Sequence, residues 1–253
     1  MTDHPNSAGA PVGTDDLAAR VISVLRDRQA TAPDGARRLV LDHLVRVICK
    51  DGAFDARAAL DILRGYRIPL DMVIGLYIPR AAERLGEMWM DDEADFATVT
   101  IATMRLQALL EEASGQVFDR PNAVGRIRAL VVIPAGEQHF LGASVLAAQL
   151  RRLGCETQMS FAEEPGTIRQ RALFDRPDAL LFTCARAAGL EPIGQIVLGI
   201  RNAMSDAPVM AVGGAVRAAR DVVMEMTGAD IVTTEAKDVI AFCAQRRRAV
   251  TGG

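Results

Sequence analysis

The chain has 253 residues, half of them apolar, and 29 Lys plus Arg against 32 Asp plus Glu give a formal net charge of −3. That length fits one large or two small domains with a proper core, and the charge balance excludes the basic footprint of a nucleic-acid binder. No apolar run approaches the roughly 20 residues of a membrane span, no signal-peptide core opens the chain, and four scattered cysteines (Cys49, Cys155, Cys184, Cys243) form no Cys-x-x-Cys pair, so a cytoplasmic protein with reduced thiols is expected.

Residues 1–13 (MTDHPNSAGAPVG) are rich in Pro, Gly and small polar residues and are expected to be disordered, with His4 inert. Residues 14–118 read as helical throughout. Thr14-Asp15-Asp16 caps a first helix over about 14–30. Pro33-Asp34 starts a second, with Leu39, Val40, Leu44, Val45 and Ile48 at helical spacing, and it ends before Gly52. A third covers about 55–66, a fourth opened by Pro69 covers about 70–88, and a fifth covers about 95–116. Five successive helices with short connections predict an antiparallel bundle. His43, inside the second helix, is read as structural. Zinc chemistry is not expected, since the chain has only three histidines and none pairs with a second ligand at metal spacing.

Residues 119–126, beginning Asp119-Arg120-Pro121-Asn122, break the pattern as a linker. Over 127–253 strands and helices alternate. The apolar runs ALVVIPA, ETQMSFA, ALLFTCA, PVMAVGG and DIVTT precede helices over about 143–153, 167–174, 191–204, 216–227 and 237–248. Short, almost wholly apolar strands imply a parallel sheet covered on both faces. The expected fold is therefore α + α/β: an N-terminal helical bundle and a C-terminal flavodoxin-like, Rossmann-like domain with a five-stranded parallel sheet. Arg246-Arg247-Arg248 closes the last helix, where cations suit the negative end of the dipole.

Ligands of such sheets bind outside the carboxyl ends of the strands. The first of those ends carries Glu137-Gln138-His139-Phe140-Leu141-Gly142. A histidine there can present its imidazole to a metal held outside the protein, with the nearby acid fixing the ring's tautomer. Gly142 would let a bulky tail pass close to the backbone. A plain surface histidine on a βα loop is the competing reading. The other ends carry Thr183-Cys184-Ala185, Gly213-Gly214 and Thr233-Thr234-Glu235. Each has a plain explanation as a helix cap or tight turn, yet all fall on one edge.

Glu137-x-His139-x-x-Gly142 resembles the Asp-x-His-x-x-Gly signature of cobalamin-binding domains, in a Glu form. In that fold the dimethylbenzimidazole tail threads between the sheet and its helices. The resemblance implies His139 as the metal ligand below cobalt, with the cofactor's own base displaced (base-off, His-on). Gly213-Gly214 matches the Gly-Gly that the family has after its fourth strand. The family's Ser-x-Leu after the third strand is replaced by Cys184 with Arg186 in place of leucine. Leu85-Gly86-Glu87-Met88-Trp89 is similar to the Leu-Gly-x-x-Trp stretch of the bundle that caps the upper corrin face, and it implies Trp89 as an aromatic plate there. The implied cofactor-binding set is Glu137, His139, Gly142, Trp89, Thr183, Cys184, Gly213, Gly214 and Thr233, holding adenosyl-, methyl- or hydroxocobalamin.

The residues after Trp89 indicate the branch. Light-sensing repressors of the CarH kind carry a Glu-His pair ten residues on, where this chain has Val99-Thr100, and they begin with a DNA-binding domain for which there is no room before residue 14. The chain resembles the AerR/PpaA-type antirepressors of purple photosynthetic bacteria. That resemblance implies a light-responsive, non-enzymatic regulator that binds a DNA-binding transcriptional repressor of photosynthesis genes. No strong direct nucleic-acid binding and no membrane association are expected. The alternative is the corrinoid methyl-carrier subunit of a methyltransferase, which shares both domains. A corrin-free flavodoxin-like module is a third possibility.

Overall fold

The computed structural model describes residues 35–115, 126–137, 140–214 and 218–251. The expected disordered stretch, the expected first helix and all of the expected linker except Arg126 lie outside the described residues.

Among the described residues, four bundle helices succeed one another in chain order. Helix α1 (Arg38–Cys49) starts after Gly35, at φ 85°, and an extended Arg37, at ψ 113°, so it begins later than Pro33 suggests. Helix α2 (Ala56–Gly65) is capped by Asp55, whose carboxylate accepts from the N–H groups of Arg57 at 2.9 Å and Ala58 at 3.1 Å. Helix α3 comprises Leu70–Met72, a π turn at Val73–Tyr77, and Ile78–Met90. The π turn has a cause in the sequence. Pro79 lacks an N–H and its ring would clash with the carbonyl four residues back, so the helix widens one turn before it. Helix α4 (Phe96–Gly115) runs back along α3. Leu44, Ile48, Leu60, Leu63, Tyr77, Leu85, Leu106 and Leu109 fill the bundle core. Arg105 ties α4 to the end of α1, donating to the carbonyls of Ile48 (2.8 Å), Lys50 (2.5 Å) and Gly52 (2.6 Å).

The second part alternates as the periodicity predicts: β1 (Arg128–Ile133), α5 (Phe140–Arg152), β2 (Glu156–Phe161), α6 (Pro165–Asp175), β3 (Ala179–Thr183), a 3₁₀ turn (Ala187–Gly189) leading into α7 (Leu190–Ala203), β4 (Val209–Gly213), α8 (Arg220–Thr227), β5 (Ile231–Val232) and α9 (Ala236–Thr251). The strands are all parallel in the order β2-β1-β3-β4-β5. Strands β1, β3 and β4 are buried on both faces, but β2 is an edge strand with exposed Glu156, Gln158 and Phe161, so it is less apolar than its neighbours.

Alternate strand residues feed two different cores. Val131, Ile133, Leu181, Ala211 and Ile231 pack beneath α5 and α9, whereas Val132, Phe182, Met210 and Val212 pack beneath α6, α7 and α8. The bundle sits on α5, whose Val145 and Ala148 belong to the bundle's core. Gln107 donates to Ser144 at 3.0 Å, and Arg152 pairs with Asp71. Among the described residues no helix is long and apolar enough to cross a membrane.

Candidate functional site at the carboxyl edge

After Ile133 the chain turns through Pro134–Glu137, closed by the Glu137 N–H donating to the Pro134 carbonyl at 3.1 Å, with Gly136 at φ 84°. A glycine suits that left-handed conformation. Gln138 and His139 lie outside the described residues, so the residue on which the sequence reading turns is placed only by its neighbours, Glu137 and Phe140. Glu137 reaches across to the end of β3, where its Oε2 accepts the Ala185 N–H at 2.9 Å. Helix α5 starts at Phe140, three residues before the expected 143, so Gly142 falls in its first turn rather than in a loop. A Cβ at Gly142 would meet nothing within 4 Å, which leaves that stretch of backbone open to an approaching group.

The sheet separates two residues expected to act together. Thr183 follows Leu181 onto the α5/α9 side, while Cys184 belongs to the core beneath α7. The Cys184 thiol donates to the Arg186 carbonyl at 3.0 Å, and a Cβ on Gly189 would lie 3.0 Å from its sulfur. Burial raises its pKa. Thr183 is buried, and its hydroxyl lies 3.5 Å from the Val132 carbonyl. Thr233 turns to the α9 side and caps that helix, donating to Asp238 at 2.7 Å and accepting the Glu235 N–H at 3.0 Å.

Gly213 and Gly214 have a reason within the chain itself. A Cβ at Gly213 would lie 2.4 Å from the Thr233 carbonyl oxygen, and one at Gly214 would lie 2.5 Å from the Cys184 carbonyl oxygen. Gly214 also has φ 117°. The glycine pair therefore lets the ends of β3, β4 and β5 close up on one another. Around Thr183 and Gly213 the α5/α9 layer offers Ala143, Ala147, Ala211 and Ala236, all buried. Small residues line both walls of this layer, unlike the leucine- and isoleucine-rich layer opposite.

The bundle overhangs this edge. A Cβ on Gly75 would lie 3.4 Å from Gln149 Nε2, and Asp71 pairs with Arg152, so α3 runs antiparallel to α5 and its Trp89 end rises towards Phe140. Helix α4 returns alongside, level with α5 where Gln107 meets Ser144. At a rise of about 1.5 Å per residue, α4 extends roughly 16 Å beyond that contact to Phe96, and α5 only about 6 Å to Phe140, which leaves an overhang of about 10 Å. Trp89 continues the buried stripe of Ile78 and Leu85, yet it is 55% exposed. Phe96 (73% exposed) and Met104 (67%) stand on the same side of α4 as Gln107. Phe140 and Phe161, with ring centroids 6.1 Å apart, form an apolar rim below. The sequence reading identified Trp89 and missed Phe96, Met104, Phe140 and Phe161. The signal was available in α4, where Phe96, Met104 and Gln107 share a helical face that the bundle core, built on Ala102, Leu106 and Leu109, does not use.

Most of the chain is similar to a known bacterial protein. The chain is 33% identical over 182 residues, 72% of its length and 95% of the relative's, to the uncharacterized 20.5 kDa protein in the bchF-crtJ intergenic region of Rhodobacter capsulatus. The chain belongs to that protein's family. No protein-family model matches the sequence. Among solved structures, the Methanosarcina barkeri monomethylamine corrinoid protein superposes with a TM-score of 0.66 at 12% identity, over 83% of this chain and 99% of that one. The chain thus has the fold of that corrinoid protein, a helical bundle beside a Rossmann-like five-stranded parallel sheet.

Proposed function

We propose that the chain is a cobalamin-binding, light-responsive regulator of the AerR/PpaA kind, acting through a DNA-binding transcriptional repressor and not as an enzyme. The observation that carries this reading is the exposed apolar end of the bundle, where Trp89 and Phe96 face solvent and α4 reaches about 10 Å beyond the start of α5, with Met104 lower down, level with that start. Large apolar side chains left facing solvent beside a strand edge suit a binding site, and the Glu137-x-His139 motif at the same edge suits a flat, largely apolar, metal-centred ligand. The small-residue layer between the sheet and α5/α9 fits the ligand's tail.

In this reading His139 would hold the cobalt through its imidazole, and Glu137, anchored by the Ala185 N–H, would orient the ring. Gly142 leaves the backbone open, Thr183 supplies a hydroxyl on the tail's side of the sheet, and Trp89 covers the upper face. Bound cobalamin, base-off and carrying an adenosyl, methyl or hydroxo group, would supply a bond above cobalt that light can break. The chain's response lies in that end of the bundle. Trp89 and Phe96 repack when the group beneath them changes size, and the shifted end of the bundle presents a different surface to the repressor. The position of the Rhodobacter capsulatus relative, between bchF and crtJ, supports a role tied to neighbouring genes rather than to methyl transfer.

The test is a titration of apo protein with hydroxocobalamin, followed by absorbance. The wild-type chain should bind with a histidine-ligated, base-off spectrum, and His139→Ala should lose that spectrum and bind at least about 100-fold more weakly, beyond the 10–100-fold typical of groups that only orient a ligand. An unchanged spectrum and affinity in His139→Ala would sink the ligand assignment. Light-indifferent behaviour of the adenosylcobalamin-loaded protein would favour a methyl carrier instead.

A further inference from the structure

Two residues after β3 are tied to the turn after β1, and only the Ala185 contact enters the proposed site. Ala185 donates its N–H to Glu137 Oε2 at 2.9 Å. Arg186 donates from Nη2 to the carbonyl of Gly136 at 2.9 Å. Beneath them the Cys184 thiol donates to the Arg186 carbonyl at 3.0 Å, and Gly189 closes over the sulfur so tightly that a Cβ there would sit 3.0 Å from it. Two consecutive residues of one strand end therefore grip two consecutive residues of another, and a buried thiol fixes the gripping residue from below. The Cys184 N–H is itself held by the Gly213 carbonyl at 2.8 Å, and Gly214 packs against the Cys184 backbone, so the grip is braced against β4.

From this geometry we infer that Cys184-Ala185-Arg186 is a positioning latch for the turn at Gly136-Glu137, with Arg186 as its principal side chain. The loop contains Gly136 at φ 84°, a conformation with little intrinsic preference to hold it. Arg186 on the Gly136 carbonyl and Ala185 on the Glu137 carboxylate hold the turn and the carboxylate from the same strand end. A guanidinium–carbonyl bond is charge-assisted and stronger than a neutral one. Cys184 acts one step back, on the opposite face of the sheet from Thr183. Its contribution is to hold the Arg186 backbone, not to touch a ligand.

The inference rests on the proposed cobalamin site for its purpose, but not for its first test. In apo protein, amide hydrogen exchange of Ala185 reports the latch directly. Exchange should accelerate at least tenfold in Glu137→Ala, severalfold in Arg186→Ala, and much less in Arg186→Lys, which keeps a cationic donor. Unchanged Ala185 exchange in both alanine variants would overturn the latch, whatever the protein binds. In the second test hydroxocobalamin is the probe. Arg186→Ala should bind about tenfold more weakly and show a smaller histidine-ligated fraction at fixed pH, with Arg186→Lys restoring most of it. Faster exchange with affinity and spectrum unchanged would overturn the positioning role. Failure of the wild-type chain to bind hydroxocobalamin would count against the cobalamin reading alone, and the exchange result would still decide the latch. Cys184→Ser, which keeps a donor, should behave as wild type in both tests, and Cys184→Ala should resemble a weaker Arg186→Ala.

Discussion

The two edges of the sheet are finished in different ways. At the amino edge, Asp178 and Asp230 repeat one device. Each stands just before a strand and gives its own N–H to the neighbouring strand's first carbonyls, Asp178 to Arg128 and Asp230 to Met210, both at 2.8 Å. Each then takes the N–H of that same neighbour with its carboxylate, again at 2.8 Å. The remaining carboxylate oxygen pairs with an arginine at 2.8 Å, Arg247 for Asp178 and Arg201 for Asp230. At the carboxyl edge a single acid, Glu137, spans two strand ends, and large apolar side chains face solvent above it. An edge closed by its own charges is built for stability. One that leaves Trp89, Phe96 and Met104 facing solvent is built to receive something.

That contrast breaks most sharply at the glycines. Gly214→Ala should be the most damaging small substitution in the molecule. It combines a left-handed φ with a Cβ 2.5 Å from the Cys184 carbonyl. Backbone strain and overpacking each cost about 1–3 kcal/mol. A loss of roughly 3 kcal/mol or more should lower Tm by about 6–12 °C, measurable by calorimetry of the apo protein. Gly142→Ala should do the reverse. It sits in a helix with open space at its Cβ, so apo stability should hold or rise by up to about 0.5–1 kcal/mol, while hydroxocobalamin affinity falls. If Gly142→Ala bound as well as wild type, the tail would not pass over α5's first turn.

At the opposite edge, Asp178→Ala removes an acceptor shared by a backbone N–H and a guanidinium. Leaving such a group unpartnered costs about 1–3 kcal/mol. Urea denaturation should register that loss with cobalamin affinity unchanged, since the site is at the other end of every strand. A comparable drop in affinity would mean that the two edges are coupled through the sheet.

The fold was legible in the sequence because it rests on apolar periodicity. ALVVIPA, ALLFTCA and PVMAVGG are buried on both faces in the order that a doubly wound sheet requires. The departures have local causes. Pro79 converts one turn of α3 to a π turn, and edge position makes β2 more polar than a central strand. The site was legible as a list of strand-end residues but not as an arrangement. Sequence order puts Thr183 beside Cys184, whereas the strand's period of two sends them into different layers. The Gly213-Gly214 pair was read as room for a ligand, and the chain's own backbone at Thr233 and Cys184 already requires it. The bundle's overhang could not be read at all, because it depends on where α4 meets α5, a contact between Gln107 and Ser144 that no spacing encodes.

The amino edge also sets a pH limit. Burial first, and then the nearby Asp178 carboxylate, push the Cys155 and Cys243 thiols up from 9.0 to about 11. The folded chain therefore keeps both protons over a range in which the unfolded chain loses them. Stability should be fully present below pH 9 and decline as pH rises from 9 to 11. Urea midpoints at pH 8.5 and 10.5 measure the slope, and a Cys155→Ala, Cys243→Ala double variant should flatten it. A slope of the same size in the double variant would assign it to other groups.

The smallest effect expected lies along β2. Its N–H and C=O groups at even-numbered positions face β1, as the Glu156 and Ala162 N–H bonds to Ile127 and Ile133 indicate, so the odd-numbered carbonyls face outward. Two of these are covered by arginines: Thr157 accepts from Arg151 at 3.2 Å and Met159 from Arg171 at 3.4 Å. Exposed strand edges invite pairing with a second chain, and charged side chains laid across them prevent it. Arg171 is held in place by Glu163 at 3.0 Å and Gln158 at 2.7 Å. Such partly exposed contacts contribute only about 0–1 kcal/mol, so Arg171→Ala should barely move Tm. Its consequence should be colloidal instead. Arg151→Ala, Arg171→Ala protein should self-associate at concentrations where the wild type does not. Light scattering should detect this with the carboxyl edge intact and hydroxocobalamin still bound. Unaltered scattering in the double variant would mean that the twist of a single short edge strand is protection enough, and that the two arginines serve only their local partners.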